Sequence, residues 1–223
     1  MQKFLLLLCV SFLAGSLNSV AQLTSEQIKE RKELKKASKA ELNEKATKAA
    51  RKEAKQLKKE GWKVAPGALP LEKQLDRSYL MQLEFDDDMF QKYIIGEAMS
   101  YGSIYDAAKM QATELAKQNL AGKIQTEITA LIENTVANEQ IGKDAANSIA
   151  KSIMANKNLI VQSIGRVIPL VEVYREKPNG YDVRVYIAYN SKMAKAAAKK
   201  AAGEELAKQG EDMQQKLDEI LGW

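Results

Sequence analysis

Apolar positions recur along this 223-residue chain with different periods, and each period marks a kind of element. From Tyr93 to Tyr101 they alternate. Tyr93, Ile95, Met99 and Tyr101 share one side and Ile94, Gly96, Ala98 and Ser100 the other, which is the two-residue period of a strand. The second side is small, so it predicts a helix packed closely against it. That helix follows at once, starting near Ser103 or Asp106, with Ala107, Ala108, Ala112, Leu115, Ala116, Leu120, Ile124, Ile128, Leu131 and Ile132 as its wide apolar face. A second helix is predicted from Lys143 to Ile164, with Ile149, Ile153, Ile160 and Ile164 inward. Alternation returns in Leu170 to Arg175 and Tyr181 to Tyr189, around Lys177-Pro178-Asn179-Gly180. This is a hairpin, and Asn-Gly suits a type I′ turn. Upstream, Leu71, Leu75, Tyr79, Leu80 and Leu83 mark a short amphipathic helix that ends at Asp86-Asp87-Asp88. The resulting β-α-α-β-β order predicts an α+β domain over residues 71–190, a small antiparallel sheet packed by helices, with its core in residues 90–190.

Long charged helices are predicted at both termini. Between Leu23 and Glu60 there is no glycine or proline, and nearly every residue is a good helix former. One helix starting near Thr24 or Ser25 is expected, and residues 22–60 are read as a charged helical arm. Leu42, Ala46, Ala49, Ala50, Ala54 and Leu57 form a thin alanine-rich stripe that buries little. Two readings stand: a solvated helix, or an arm that docks a partner or an anionic surface, with Lys35, Lys36, Lys39, Arg51, Lys52 and Lys55 as contacts. Gly61 ends the helix, and residues 61–70, with Pro66 and Pro70, are expected as an extended linker. Residues 191–223 are predicted as one further helix, basic at first and acidic later. Its acidic half could lie against the basic first helix, or both could be solvated.

Composition narrows the chemistry. Residues 1–21 place Lys3 before the apolar run Phe4 to Val10 and end in Ser19-Val20-Ala21, the order of a cleavable export signal. A membrane anchor needs about 20 apolar residues, whereas Ser11, Gly15, Ser16, Asn18 and Ser19 interrupt this run. The expected location is therefore the periplasm or the exterior, including the periphery of the outer membrane. The single cysteine, Cys9, lies within that signal, too early to be a lipidation site, and the chain has no histidine. A processed chain would lack the side chains that most often act as metal ligands, nucleophiles or near-neutral proton carriers. No metal site, cofactor or catalytic group is expected. Removing Lys3 leaves 33 − 29 = +4, a charge that suits solubility better than it argues for nucleic acid. Three adjacent aspartates invite calcium, but the spaced ligands and glycine of an EF-hand loop are missing.

Three segments carry a family resemblance: Tyr93-Ile94-Ile95-Gly96-Glu97-Ala98; the helix with Ala107-Ala108 and Leu115-Ala116-Lys117-Gln118-Asn119-Leu120-Ala121; and the hairpin strands Leu170 to Arg175 and Tyr181 to Ile187. Together they resemble the Helicobacter lipoprotein-twenty family and the related N-terminal domain of the flagellar assembly protein T, also seen in secreted proteins of Bacteroidales-type bacteria. The resemblance spans the central domain and neither terminal helix. It implies a non-catalytic envelope module, often lipid-anchored through a cysteine for which Cys9 is no suitable counterpart, and it carries over no catalytic residue.

Candidate polar positions are few. Glu97 and Glu172 lie on predicted strands; brought together they would suit acid–base work, while Arg175 and Arg184 are placed to neutralise them instead. Asn119, among apolar neighbours, is read as bonding a buried backbone group or as touching a ligand. Trp62 is expected to pack the linker onto the domain, and Trp223 to contact a partner or fray. The leading expectation is an exported, non-catalytic envelope protein acting through its terminal helices on an envelope protein or on itself. Direct attachment to anionic lipid or cell-wall polymer is the alternative. A carboxylate hydrolase using Glu97, Glu172 or Asp86 to Asp88 is the third.

Overall fold

The computed structural model describes residues 25, 26, 28, 29, 31–33, 36, 44–86, 91–137, 142–207 and 211–221. Two compact units are present, residues 1–45 and residues 46–223. In the first, the described residues 25, 26, 28, 29, 31–33 and 36 are helical and exposed. The second is an α+β domain. Its elements are α1 (Lys48–Lys59), β1 (Lys63–Val64), α2 (Leu71–Gln82), β2 (Tyr93–Gly102), α3 (Tyr105–Ala137), α4 (Lys143–Ala155), α5 (Lys157–Ser163), β3 (Ile168–Lys177), β4 (Gly180–Asn190), α6 (Ser191–Ala207) and α7 (Glu211–Leu221). The four strands form one antiparallel sheet in the order β1-β3-β4-β2.

The small side of β2 explains the inner layer. Ile94, Gly96, Ala98, Ser100 and Gly102 face α3, whose Ala108, Ala112 and Ala116 are fully buried against the sheet. A Cβ on Gly96 would lie 2.5 Å from the Ala116 carbonyl oxygen and 2.9 Å from Leu120 Cβ. Helix and strand thus touch backbone to backbone, a distance that only glycine on β2 permits. Ser100 donates to Ala108 O at 2.6 Å on the same seam. Beyond the sheet, the second half of α3 continues the core with Ile124, Ile128 and Ile132, packed by Ile149, Ile153, Ile160, Leu206 and Leu217. Buried Gln125 donates to Ile153 O and Met154 O at 2.8 and 2.9 Å, filling the terminal carbonyls of α4.

On the sheet's other face, α1 and α2 cover β3 with a second cluster that includes Ala50, Ala54, Leu57, Trp62, Leu71, Leu75 and Val173. Here the expected continuous helix gives way, because residues 44–47 are not helical and Thr47 starts a new one. Its Oγ1 accepts from Ala50 N at 3.3 Å, and its own N–H donates to Asp76 of α2 at 2.9 Å. Residues 48–60 are accordingly part of the domain and not an arm. The alanine stripe that looked too thin to dock does so because small side chains let α1 approach α2 closely.

Three further expectations are corrected. Residues 191–223 do not form one helix: Lys199 Nζ meets Asp218 Oδ1 at 2.9 Å, whereas 19 residues of straight helix would span about 28 Å. α6 and α7 fold back on each other, so that acidic residue pairs within its own segment. The predicted second helix breaks at Asn156 into α4 and α5. The hairpin closes at Lys177↔Gly180 over Pro178-Asn179. Proline cannot take the positive φ that type I′ requires at that position.

β2 is an edge strand, and two of its carbonyls are covered by side chains of α3. Asn119 Nδ2 donates to Glu97 O and Lys123 Nζ to Ile95 O, each at 2.7 Å. Asn119 therefore bonds a backbone carbonyl, but at an exposed edge and not at the buried group expected of it.

Two outcomes check this packing. Gly96→Ala should lower stability by about 1–3 kcal/mol in urea unfolding, because the added carbon must push α3 off the sheet; an unchanged midpoint would contradict the close approach. Asn119→Ala with Lys123→Ala should bare the β2 edge and produce larger species in light scattering where the parent chain gives none. Unaltered scattering would mean that these caps do not guard the edge.

Candidate functional site

The sheet separates the residues that sequence reasoning put together. Glu172 points to the α3 face and Glu97 to the opposite one, and β4 lies between their strands. No two-carboxylate site forms from them. Arg175 and Arg184 do not neutralise Glu172, because Arg175 is three residues along the same strand and Arg184 stands across from Val173, so both leave the opposite face. Lys109 of α3 does so instead, with Nζ 2.9 Å from Glu172 Oε1. The Tyr105 hydroxyl donates to the same oxygen. Burial, and then the Glu172 carboxylate, push the Tyr105 phenol well above its ordinary value. Tyr174 and Tyr181 pack edge-on around that ring at 5.3 and 6.3 Å. This cluster pins the start of α3 to β3, a structural task that nothing in the spacing of Lys109 announced.

Arg175 and Arg184 hold Trp62. Their guanidinium carbons lie 4.7 and 4.9 Å from the indole ring, and only 3% of Trp62 remains exposed. Trp62 therefore packs the linker as expected, and it is no surface contact. The turn that places it is legible in hydrogen bonds: Trp62 N donates to Leu57 O at 3.0 Å and Gly61 N to Lys58 O at 3.1 Å, the two bonds of a Schellman motif. Gly61 takes φ +86 there, a left-handed conformation that glycine adopts without cost. Chain direction reverses, and Lys63 and Val64 then pair with β3, so part of the expected linker is an edge strand. Arg175 also donates to Asp182 Oδ2 at 2.8 and 3.2 Å and to Glu60 O at 3.4 Å. Lys177 Nζ stands 3.5 Å from the same carboxylate oxygen.

Glu97, Met99 and Tyr101 occupy the exposed half of the α1/α2 face. Glu97 stands opposite Tyr186, whose phenol is raised by burial first and by Glu97 next, with Arg184 opposing. The Tyr101 hydroxyl donates to Asn179 O at 2.9 Å. Asp86 lines a small hollow with Lys92 and Lys192. Asp87, Asp88, Lys35, Lys39 and Trp223 lie outside the described residues, and Lys36 is helical and exposed in the first unit.

The most concentrated charge is on α1. Among its twelve residues are Lys48, Arg51, Lys52, Lys55, Lys58 and Lys59 against one acid, Glu53, so it carries 6 − 1 = +5. The fold sorts these residues by side. Ala50, Ala54 and Leu57 are buried, and at about 100° per residue the six cations fall in a sector of roughly 120° on the opposite side. Glu53 lies off that sector and accepts from the Tyr79 hydroxyl. Lys58 pairs with Glu72 at 3.1 Å, and the backbone at the start of α2 holds Glu72 below the usual carboxylate range, with Lys58 adding to it. Among the described residues, Lys48, Arg51, Lys52, Lys55 and Lys59 have no ion pair. Arg51, Ala54, Lys55, Lys58, Lys59 and Glu72 line an open hollow of about 460 Å3.

Comparison with protein-family models, with curated proteins and with solved structures finds no match to this chain. Among the described residues, no helix is long and apolar enough to cross a membrane, and no three His, Cys, Asp or Glu side chains are grouped to hold a metal.

The Arg175–Asp182 pair generates a pH test. Hydrogen bonds from Arg175 hold the Asp182 carboxyl below its ordinary value, burial opposes them, and Lys177 assists them. A depressed folded-state pKa stabilises above the unfolded value, near about pH 4, and that stability is lost as pH falls through the folded value. Asp182→Asn should therefore cost roughly 1 kcal/mol at pH 7, discounted for solvent screening. In urea unfolding its gap from the parent chain should close in acid. A gap that stays constant with pH would show that the charge contributes nothing.

Proposed function

We propose that this chain is an exported, non-catalytic envelope protein that binds an anionic partner through the outward face of α1. The observation that carries this reading is the segregation of charge. Residues 23–60 hold thirteen basic and seven acidic residues, or +6, while the whole chain carries 34 − 29 = +5. The remainder is therefore −1, and the positive field belongs to one segment. Like charges crowded on one helix repel by a few tenths of a kcal/mol per neighbouring pair. An anion laid across them relieves that repulsion. The export-type leader and the resemblance of the central domain to an envelope family support the location.

The reading refines the expectation that both terminal helices act as arms. α6 and α7 bury their apolar sides in the main core, so the basic face of α1 is the better-motivated surface. Co-sedimentation with isolated cell envelopes tests it. The parent chain should sediment at low salt and be released between about 50 and 500 mM salt as screening shortens the reach of surface charge. Arg51→Glu with Lys55→Glu should stay in the supernatant while keeping its urea midpoint. Sedimentation that ignores both salt and these substitutions would overturn the proposal.

A further inference from the structure

Resting on that reading, we infer that the partner of α1 is an acidic polysaccharide chain lying along the helix, and not a lipid surface. The placement of the apolar stripe excludes the usual lipid mode. An interfacial helix binds a bilayer by sinking its apolar face into the acyl boundary with basic residues flanking it. In α1 the apolar face consists of Ala50, Ala54 and Leu57, all buried in the domain's own second cluster. The cations point the opposite way. Nothing apolar on this face is left to insert.

The row of charges has one dimension. Lys48, Lys52, Lys55 and Lys59 follow one another at intervals of four, three and four residues, rises of about 6, 4.5 and 6 Å along a row of about 16 Å. Each rise is close to the length of one pyranose unit, so a chain with one carboxylate per sugar meets one cation per sugar. A polyphosphate carries its charges closer together than this, and a bilayer spreads them over a plane. Arg51 flanks the row and adds a planar fork suited to carboxylate. Lys58, tied back to Glu72, closes one wall of the hollow beside the row. The helix itself is rigidly mounted through Thr47 at one end and Gly61-Trp62 at the other. The backbone positions that carry the cations are therefore fixed before a ligand arrives, so only the lysine side chains remain to be ordered on binding.

Binding of fluorescent oligogalacturonates of defined length, read by anisotropy over a salt series, tests this. Affinity should rise with length up to about four sugars and then level off, and log affinity against log salt should fall with a slope of about −3, as for a flexible polyanion neutralised at four points. Lys52→Glu with Lys55→Glu should weaken binding at least tenfold, and Lys151→Glu with Arg166→Glu, an equal charge change at exposed positions elsewhere, should leave it within twofold. An equal loss in both variants would reduce the effect to net charge and overturn the inference. Binding to phosphatidylglycerol vesicles or to polyphosphate without binding to oligogalacturonate would also overturn it, while the anionic-partner reading survives. If envelopes, vesicles and oligomers are all ignored, both fall.

Discussion

The indole of Trp62 lies between two guanidinium groups on adjacent strands, and that contact decides where α1 can sit. A cation over an aromatic face gains about 0.5–2 kcal/mol, more as water is excluded, and here the ring is buried while Arg175 and Arg184 both reach it. Arg175 does more than stack. It reaches the carboxylate of Asp182 across the hairpin and the carbonyl of Glu60 at the end of α1. One side chain thereby ties the sheet, the turn and the helix together. If α1 were not held in this way, its short apolar stripe of two alanines and one leucine would bury too little surface to fix a helix in place.

The sheet is sandwiched by two unlike layers, and the difference follows from side-chain size. On one face, glycine and alanine bring β2 and α3 into backbone contact, and the large isoleucines lie further along α3 where the sheet has ended. On the other face, alanines of α1 permit close approach, but a single tryptophan fills the space under the helix end. Close packing of this kind tolerates little added volume. It also leaves each docked helix with one face that has no packing duty. For α3 that freedom is used at the edge, where Asn119 and Lys123 cover the carbonyls of Glu97 and Ile95 on β2.

The strand β2, its small face and the position of α3 were legible because alternation and helical period are local properties, and glycine beside alanine reports close approach directly. The hairpin strands were legible for the same reason, although the turn was not, because Pro178 shifted the loop by one residue. The start of α1 was hidden. Thr47 caps it, but the sequence around it remains rich in helix formers, so only tertiary contact with Asp76 distinguishes a break from a continuous helix. The same limit concealed the folding back of α7 onto α6, which depends on Leu206 and Leu217 sharing one core. Glu172 was correctly seen as unusual on a strand, yet its cation came from Lys109, on an element far away in sequence. The candidate site was legible as a basic segment and illegible as a face, since the side on which those cations stand depends on what α1 buries.

That dependence gives α1 its particular character. Its apolar and basic sectors are opposed, so the forces that mount the helix and the field it presents act in opposite directions and share no side chain except Lys58, which is paired with Glu72. Charge on the outer sector can then vary without disturbing the buried stripe, while any change that moves Trp62 or Gly61 shifts the whole row of cations as a rigid body. The sheet contributes no charge to the row. What it supplies is alignment, through Arg175, and alignment sets Lys48, Lys52, Lys55 and Lys59 along one outward line of the helix, with Arg51 beside it.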